Sequence, residues 1–212
     1  MKNILGLSIP QTLEEVCHPQ RVALLVYDMQ LGILSQIKKG DEVTQQVLKV
    51  LTGARDARLR VFFSRHLSLP KELMGMSQFR VAMAWQRIDS PEQIKPWFLR
   101  DDPSFQIIPE LAPRPTEGVF DKLTMSAFEG TWLDFALRDC GIKGFIIVGV
   151  ATEIGIEPTI CRRRRKGQRK CGTRRIRRSG THQGEHRRPK LHSRLRSRLG
   201  EVPYGVCVVQ TV

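Results

Sequence analysis

The chain has 212 residues and a formal net charge of +14, a length that buries a core without disulfide or metal staples. Its five cysteines are odd in number and irregularly spaced, no stretch approaches the ~18 apolar residues of a membrane span, and MKNILGLSIPQTLEEV turns acidic where a signal peptide would be apolar. These features argue against a secreted disulfide framework and a membrane protein, and for a cytoplasmic one.

Residues 21–27 (RVALLVY) form a short apolar run ending at Asp28, the pattern of a buried parallel strand. Residues 41–58 place Val43, Val47, Leu48 and Leu51 at helical spacing, with Asp41 and Glu42 at the positive helix end. A second strand, 59–63, leads into Ser64-Arg65-His66, and a helix is expected over about 71–85. A long connection carrying Pro91, Pro96, Pro103, Pro109, Pro113 and Pro115 follows, then a strand at 118–123. Residues 129–140 should bring Trp132, Leu133, Phe135, Ala136 and Leu137 onto one helical face, with Gly141 as the cap. The run 144–150 (GFIIVGV) reads as another buried strand, with a helix beginning near Ile154. Strands alternating with helices predict an α/β fold with a mainly parallel sheet.

In such sheets the ligand sits beyond the carboxyl ends of the strands. Those ends carry Asp28, His66, Lys122 and the loop Gly149-Val150-Ala151-Thr152. An acid and a lysine delivered to one rim form a catalytic constellation if they meet. On spacing alone a surface or rim salt bridge is the favoured explanation.

Residues 160–212 differ from everything before them. They hold 17 Lys+Arg against 2 Asp+Glu, whereas residues 1–159 hold 18 against 19. Within 162–201 only Cys171, Ile176, Leu191, Leu195 and Leu199 are apolar, too few to offset the ordering entropy of the segment. The sequence therefore divides into an α/β domain, 1–159, and an Arg-rich tail, 160–212.

The segments ALLVYDMQ (23–30), FDKLTMSAFEGTWLD (120–134) and FIIVGVATEIGIEPT (145–159) together resemble the isochorismatase-like hydrolase superfamily, also called the cysteine hydrolases. The resemblance implies a Rossmann-like three-layer α/β/α fold and a catalytic triad of Asp, Lys and Cys. The Asp falls on Asp28, the Lys on Lys122, and the position of the Cys is held here by Gly155. It also implies a non-proline cis peptide, here between Val150 and Ala151. Gln30, His66, Val150, Ala151 and Thr152 are the candidate substrate-binding residues, and a capping or packing role fits His66 equally well. A thiol at a helix start beside a lysine attacks an amide as thiolate, and nearby backbone amides hold the oxyanion. Gly155 removes that nucleophile, and Cys140, at the end of the preceding helix, reads as a small buried hydrophobe.

The isochorismatase branch also carries Gly there and cleaves a vinyl ether, with the Asp as acid and no covalent intermediate; its loop has an aromatic where this chain has Ala151. The nicotinamidase branch holds zinc on Asp-x-His after the second strand, where this chain reads Ser64-Arg65-His66. No metal or other cofactor is expected. The expected partner is a small-molecule substrate, and the resemblance implies a homo-oligomer.

Three readings compete for the tail. RRRRK (162–166) and RRIRR (174–178) suit phosphate contacts, so nucleic acid is one candidate partner. Cys161, Cys171, His182, His186 and His192 form a weakly spaced metal set. The favoured reading is a shifted reading frame, because Arg codons read one nucleotide later encode Gly, Ala, Asp and Val. Ala and Asp are absent from 160–212. That reading leaves the sheet incomplete at its C-terminal side, with an unpaired edge at 144–150.

Overall fold

The computed structural model describes residues 1–9, 11–165 and 208–211. It opens with an antiparallel hairpin, β1 (Lys2–Ile4) and β2 (Leu7–Ile9), that the sequence pattern does not announce. Its two-residue turn places Leu5 at φ 50° and Gly6 at φ 78°, the twist that suits a tight hairpin. A short helix, α1 (Leu13–Val16), leads to the sheet.

β3 (Val22–Tyr27) is buried along its whole length, as an apolar run covered on both faces must be. The α2 turn (Leu31–Leu34) and the long helix α3 (Gly40–Asp56) follow. α3 buries Val43, Val47 and Leu51 of the expected stripe, together with Thr44 and Ala54, while Leu48 is only partly buried. β4 (Arg60–His66) extends through the residues expected to follow its strand. The next helix is interrupted: residues 71–73 make a single 3-10 turn, and α4 (Met76–Gln86) begins after Gly75. The proline-rich connection is three further 3-10 turns, each started by a proline, at Pro91, Pro103 and Pro109.

β5 (Gly118–Lys122) and α5 (Leu133–Asp139) come next. α5 is shorter than the expected 129–140 helix and buries only Leu133, Asp134 and Leu137; Phe135 is 68% exposed and Trp132 45%. The broad apolar face predicted there does not form, because α5 starts late and only its inner stripe reaches the sheet. Its C-terminus is as expected: Gly141 at φ 68° lets Gly141 N–H donate to Arg138 O and Ile142 N–H donate to Leu137 O. β6 (Gly144–Gly149) and α6 (Glu157–Arg165) complete the domain, and β7 (Val208–Thr211) lies beyond.

The sheet order is β5-β4-β3-β6-β7. The first four strands are mutually parallel, and β7 joins β6 antiparallel, pairing Gly144–Ile147 with 208–211. The unpaired edge expected at 144–150 is thus covered over four residues. Alternate residues of β3 feed two cores. Leu24 and Val26 pack with α3 residues on one face; Ala23, Leu25 and Tyr27 pack with Leu133, Leu137, Ile156 and Ile160 on the other. This is the expected three-layer α/β/α arrangement. Ile160 remains buried, so α6 keeps its apolar face one residue past Thr159. Among the described residues, no helix is long and apolar enough to cross a membrane.

Candidate active site

The parallel register sets the site. β3, β4 and β5 end together at Tyr27, His66 and Lys122, with Tyr27 opposite Ser64 and His66 opposite Lys122. Asp28 follows β3 in the left-handed region, at φ 51°. Two strand spacings, about 10 Å, separate β5 from β3, a gap that a lysine and an aspartate reaching toward each other can span. Lys122 and Asp28 meet across it: Lys122 Nζ lies 2.7 Å from Asp28 Oδ2, with side-chain exposures of 0% and 5%. The other oxygen, Asp28 Oδ1, accepts from Ser64 Oγ at 2.6 Å. Asp28 N–H in turn donates to Ser64 O and Oγ, both at 3.2 Å. The two charges therefore meet as a buried, hydrogen-bonded pair, not as the solvated rim salt bridge that spacing alone allowed. Lys122 Nζ also donates to Thr124 O at 3.3 Å and stands 4.5 Å above the Tyr27 ring.

His66 sits beside this pair, between the rings of Trp85 and Phe98, at centroid distances of 6.2 and 6.0 Å. Its Nδ1 is buried and finds no hydrogen-bond partner among the described residues. Burial, reinforced by the Lys122 charge and opposed by Asp28, lowers its pKa to about 4. At neutral pH it is an uncharged imidazole. Gln30 is wholly buried, and its amide is occupied within the protein: Nε2 donates to His66 O and Phe105 O, and Oε1 accepts from His66 N–H. These bonds fix the end of β4 where His66 projects.

The loop after β6 carries the remaining residues. Gly149 has φ 135° and lies so close to β3 that a β-carbon there would overlap the Tyr27 carbonyl. Val150 is buried with the α3-side core, and Ala151 and Thr152 are half-buried at the rim. The cis bond expected between Val150 and Ala151 is not found: the described peptide bonds are all trans, and Ala151 instead takes the left-handed conformation, φ 61°. A π-helical turn, Thr152–Ile156, precedes α6 in place of a regular helix start. Within it both Gly155 N–H and Ile156 N–H donate to Ala151 O, at 2.8 and 3.2 Å. Thr159 Oγ1, fully buried, donates to Gly155 O and accepts from Ala127 N–H.

Two residues at the site escape a reading of the sequence. Ser64 bonds the Asp28 carboxylate, and Tyr27 lies against both Lys122 and Gly155. The signals are present: a lone hydroxyl ends the apolar run LRVFFS, and an aromatic hydroxyl directly precedes Asp28. Cys140 is partly buried against the core, while Cys161 is exposed. Cys171, His182, His186 and His192 of the candidate metal set, like the Arg-rich sequence beyond residue 165, lie outside the described residues.

Residues 22–169 match the family model described as "Isochorismatase domain". The chain is similar to "Ureidoacrylate amidohydrolase RutB" of Acinetobacter baylyi, 26% identical over 157 residues, 67% of this chain and 64% of that protein. It spans less than two thirds of that relative. A solved cysteine hydrolase from Pseudomonas syringae pv. phaseolicola superposes with a TM-score of 0.58 at 27% identity, covering 70% of this chain and 68% of that one. An N-carbamoylsarcosine amidase from Thermoplasma acidophilum, with a TM-score of 0.56 and 23% identity over 70% of this chain and 79% of its own, shares the fold. With the match spanning the whole parallel sheet and every residue of the Asp28–Lys122 site, the chain belongs to the isochorismatase family.

Proposed function

We propose that the protein is a hydrolase acting on a small molecule, with Asp28 as acid/base, Lys122 as its partner and no covalent enzyme intermediate. The observation that carries this reading is the buried 2.7 Å contact between Lys122 Nζ and Asp28 Oδ2. Two charges held out of water cost stability unless paired, and this pair lies at the carboxyl ends of parallel strands, where such sheets bind their ligands. Ammonium and hydroxyl donors on both carboxylate oxygens leave Asp28 arranged as an acceptor. It takes a proton from the attacking water and returns it to the leaving group, while Lys122 fixes its orientation. Position 155 supplies no nucleophile, so water attacks directly.

Gln30 acts in this reading as a positioning residue for His66. The neutral His66 imidazole, whose Nδ1 has no partner among the described residues, offers a hydrogen bond to the substrate beside the aromatic rings of Trp85 and Phe98. Ala151 and Thr152 border the substrate at the rim, and Val150 supports them from the core. The similarity to an amidohydrolase and a cysteine hydrolase makes small amides and ureido acids the first substrates to try, with vinyl ethers beside them because of Gly155. The test is turnover of that panel by the purified chain, with intact-mass spectra during turnover. Hydrolysis without an added mass on the protein is the expected result. A stable acyl adduct, or no hydrolysis of any member, would overturn the reading.

Gly155, in a chain whose solved neighbours include a cysteine hydrolase, also favours a second reading, a relative that keeps the fold and has lost the reaction. The same panel separates the two.

A further inference from the structure

Tyr27 closes β3 with its side chain wholly buried, on the same face as α6. Its hydroxyl donates to Met125 O, and its ring face lies 4.5 Å beneath Lys122 Nζ. Burial and the neighbouring Asp28 charge raise its pKa, so the phenol stays protonated. The ring also stands where any side chain at position 155 would begin. A β-carbon on Gly155 would lie 2.5 Å from Tyr27 Cε1 and Oη and 2.7 Å from Cζ, closer than real β-carbons approach any atom. Tyr27 cannot swing aside cheaply, because its hydroxyl is bonded, its face supports an ammonium and its edges are packed. The backbone at 155 is equally committed, since Gly155 N–H and Ile156 N–H are both spent on Ala151 O.

We infer that Tyr27 is a positioning residue that occupies the room of a side chain at 155 and braces Lys122 against Asp28, closing the site to a protein nucleophile and reserving it for water. This rests on the Asp28–Lys122 reading above. It also predicts that a cysteine side chain at position 155 is excluded by shape, so that Gly155→Cys alone cannot convert the site to thiol chemistry. Two positions must change together.

The test compares four full-length proteins: wild type, Gly155→Cys, Tyr27→Val and the double variant. Each is followed by thermal unfolding, and the introduced thiol is followed by site-resolved alkylation with iodoacetamide across pH. Gly155→Cys should melt several degrees below wild type, and the double variant should melt well above the sum of the two single shifts, the signature of contacting residues. In the double variant the introduced thiol, freed from the ring that also contacts Lys122 Nζ, should react with a pH midpoint below the ordinary thiol value of about 8.5. The melting shifts report the space that Tyr27 fills, and the lowered midpoint reports that the Lys122 ammonium still stands at the site. If Gly155→Cys does not fold, a folded double variant supports the inference, and Gly155→Ala repeats the comparison with a smaller probe. A Gly155→Cys protein with wild-type melting, additive shifts, or a thiol midpoint at or above the ordinary value overturns it. None of these readouts needs turnover, so they separate failure of this inference from failure of the hydrolase reading.

Discussion

Asp28 and Lys122 hold each other out of water, so removing either strands the other. Asp28→Asn leaves an unpaired ammonium whose side chain is 0% exposed, and should destabilise the protein by about 3–5 kcal/mol. Lys122→Met strands the carboxylate in the same way and should cost a similar amount. The double variant Asp28→Asn/Lys122→Met removes both charges and should recover most of the loss; denaturant midpoints of the three proteins check this order. His66 makes a separate prediction in pH. The unfolded chain binds a proton there below about 6.5, whereas the folded chain resists it down to about 4, so stability falls as pH drops through that window. His66→Phe keeps a ring between Trp85 and Phe98 and should flatten the decline between pH 6.5 and 4. Melting temperatures across that range measure it; parallel curves for the two proteins would contradict the assignment.

Among the elements, two glycines with positive φ separate strain from contact. Gly141, at φ 68°, has open space where a β-carbon would go, so Gly141→Ala should cost only the left-handed penalty of about 1 kcal/mol. Gly149, at φ 135°, presses on the Tyr27 carbonyl; Gly149→Ala should exceed about 4 kcal/mol and yield little soluble protein. Urea unfolding of both variants gives the comparison. These elements also show how far the sequence can be read. β3, α3 and β6 are legible because an apolar run covered on both faces, or a stripe at helical spacing, leaves one packing solution. Asp28 and Lys122 are legible as strand ends, but their meeting depends on the register of β3, β4 and β5, which no local pattern encodes. The same holds for Ser64 and Tyr27, whose roles exist only across strands. α5 reads too long in the sequence because exposed Trp132 and Phe135 fit the helical stripe as well as buried residues do. The hairpin at 2–9 leaves no mark because its strand residues are all exposed, so no alternation of apolar and polar positions signals it.

For the whole molecule, the sheet is closed on its β6 side by a segment from the far end of the chain. Ending the chain at Arg165 removes β7 and leaves Gly144–Ile147 with free hydrogen-bonding groups on one side, an edge that templates association. The shortened chain should show a lower melting temperature and concentration-dependent scattering that the full chain lacks. The proposal that residues 160–212 derive from a shifted frame makes the complementary prediction. A chain with the alternative frame restored after Thr159 should melt cooperatively and above the chain as written, since an apolar continuation of α6 would extend the buried stripe that Ile156 and Ile160 begin. The measurement that bears most directly on the account as a whole is the hydrolysis rate of wild type against Asp28→Asn/Lys122→Met, on whichever small amide, ureido acid or vinyl ether the wild type turns over, with both proteins shown to be folded. A drop of at least about 100-fold, the contribution expected of a positioned acid/base, is the predicted result; equal rates would contradict it.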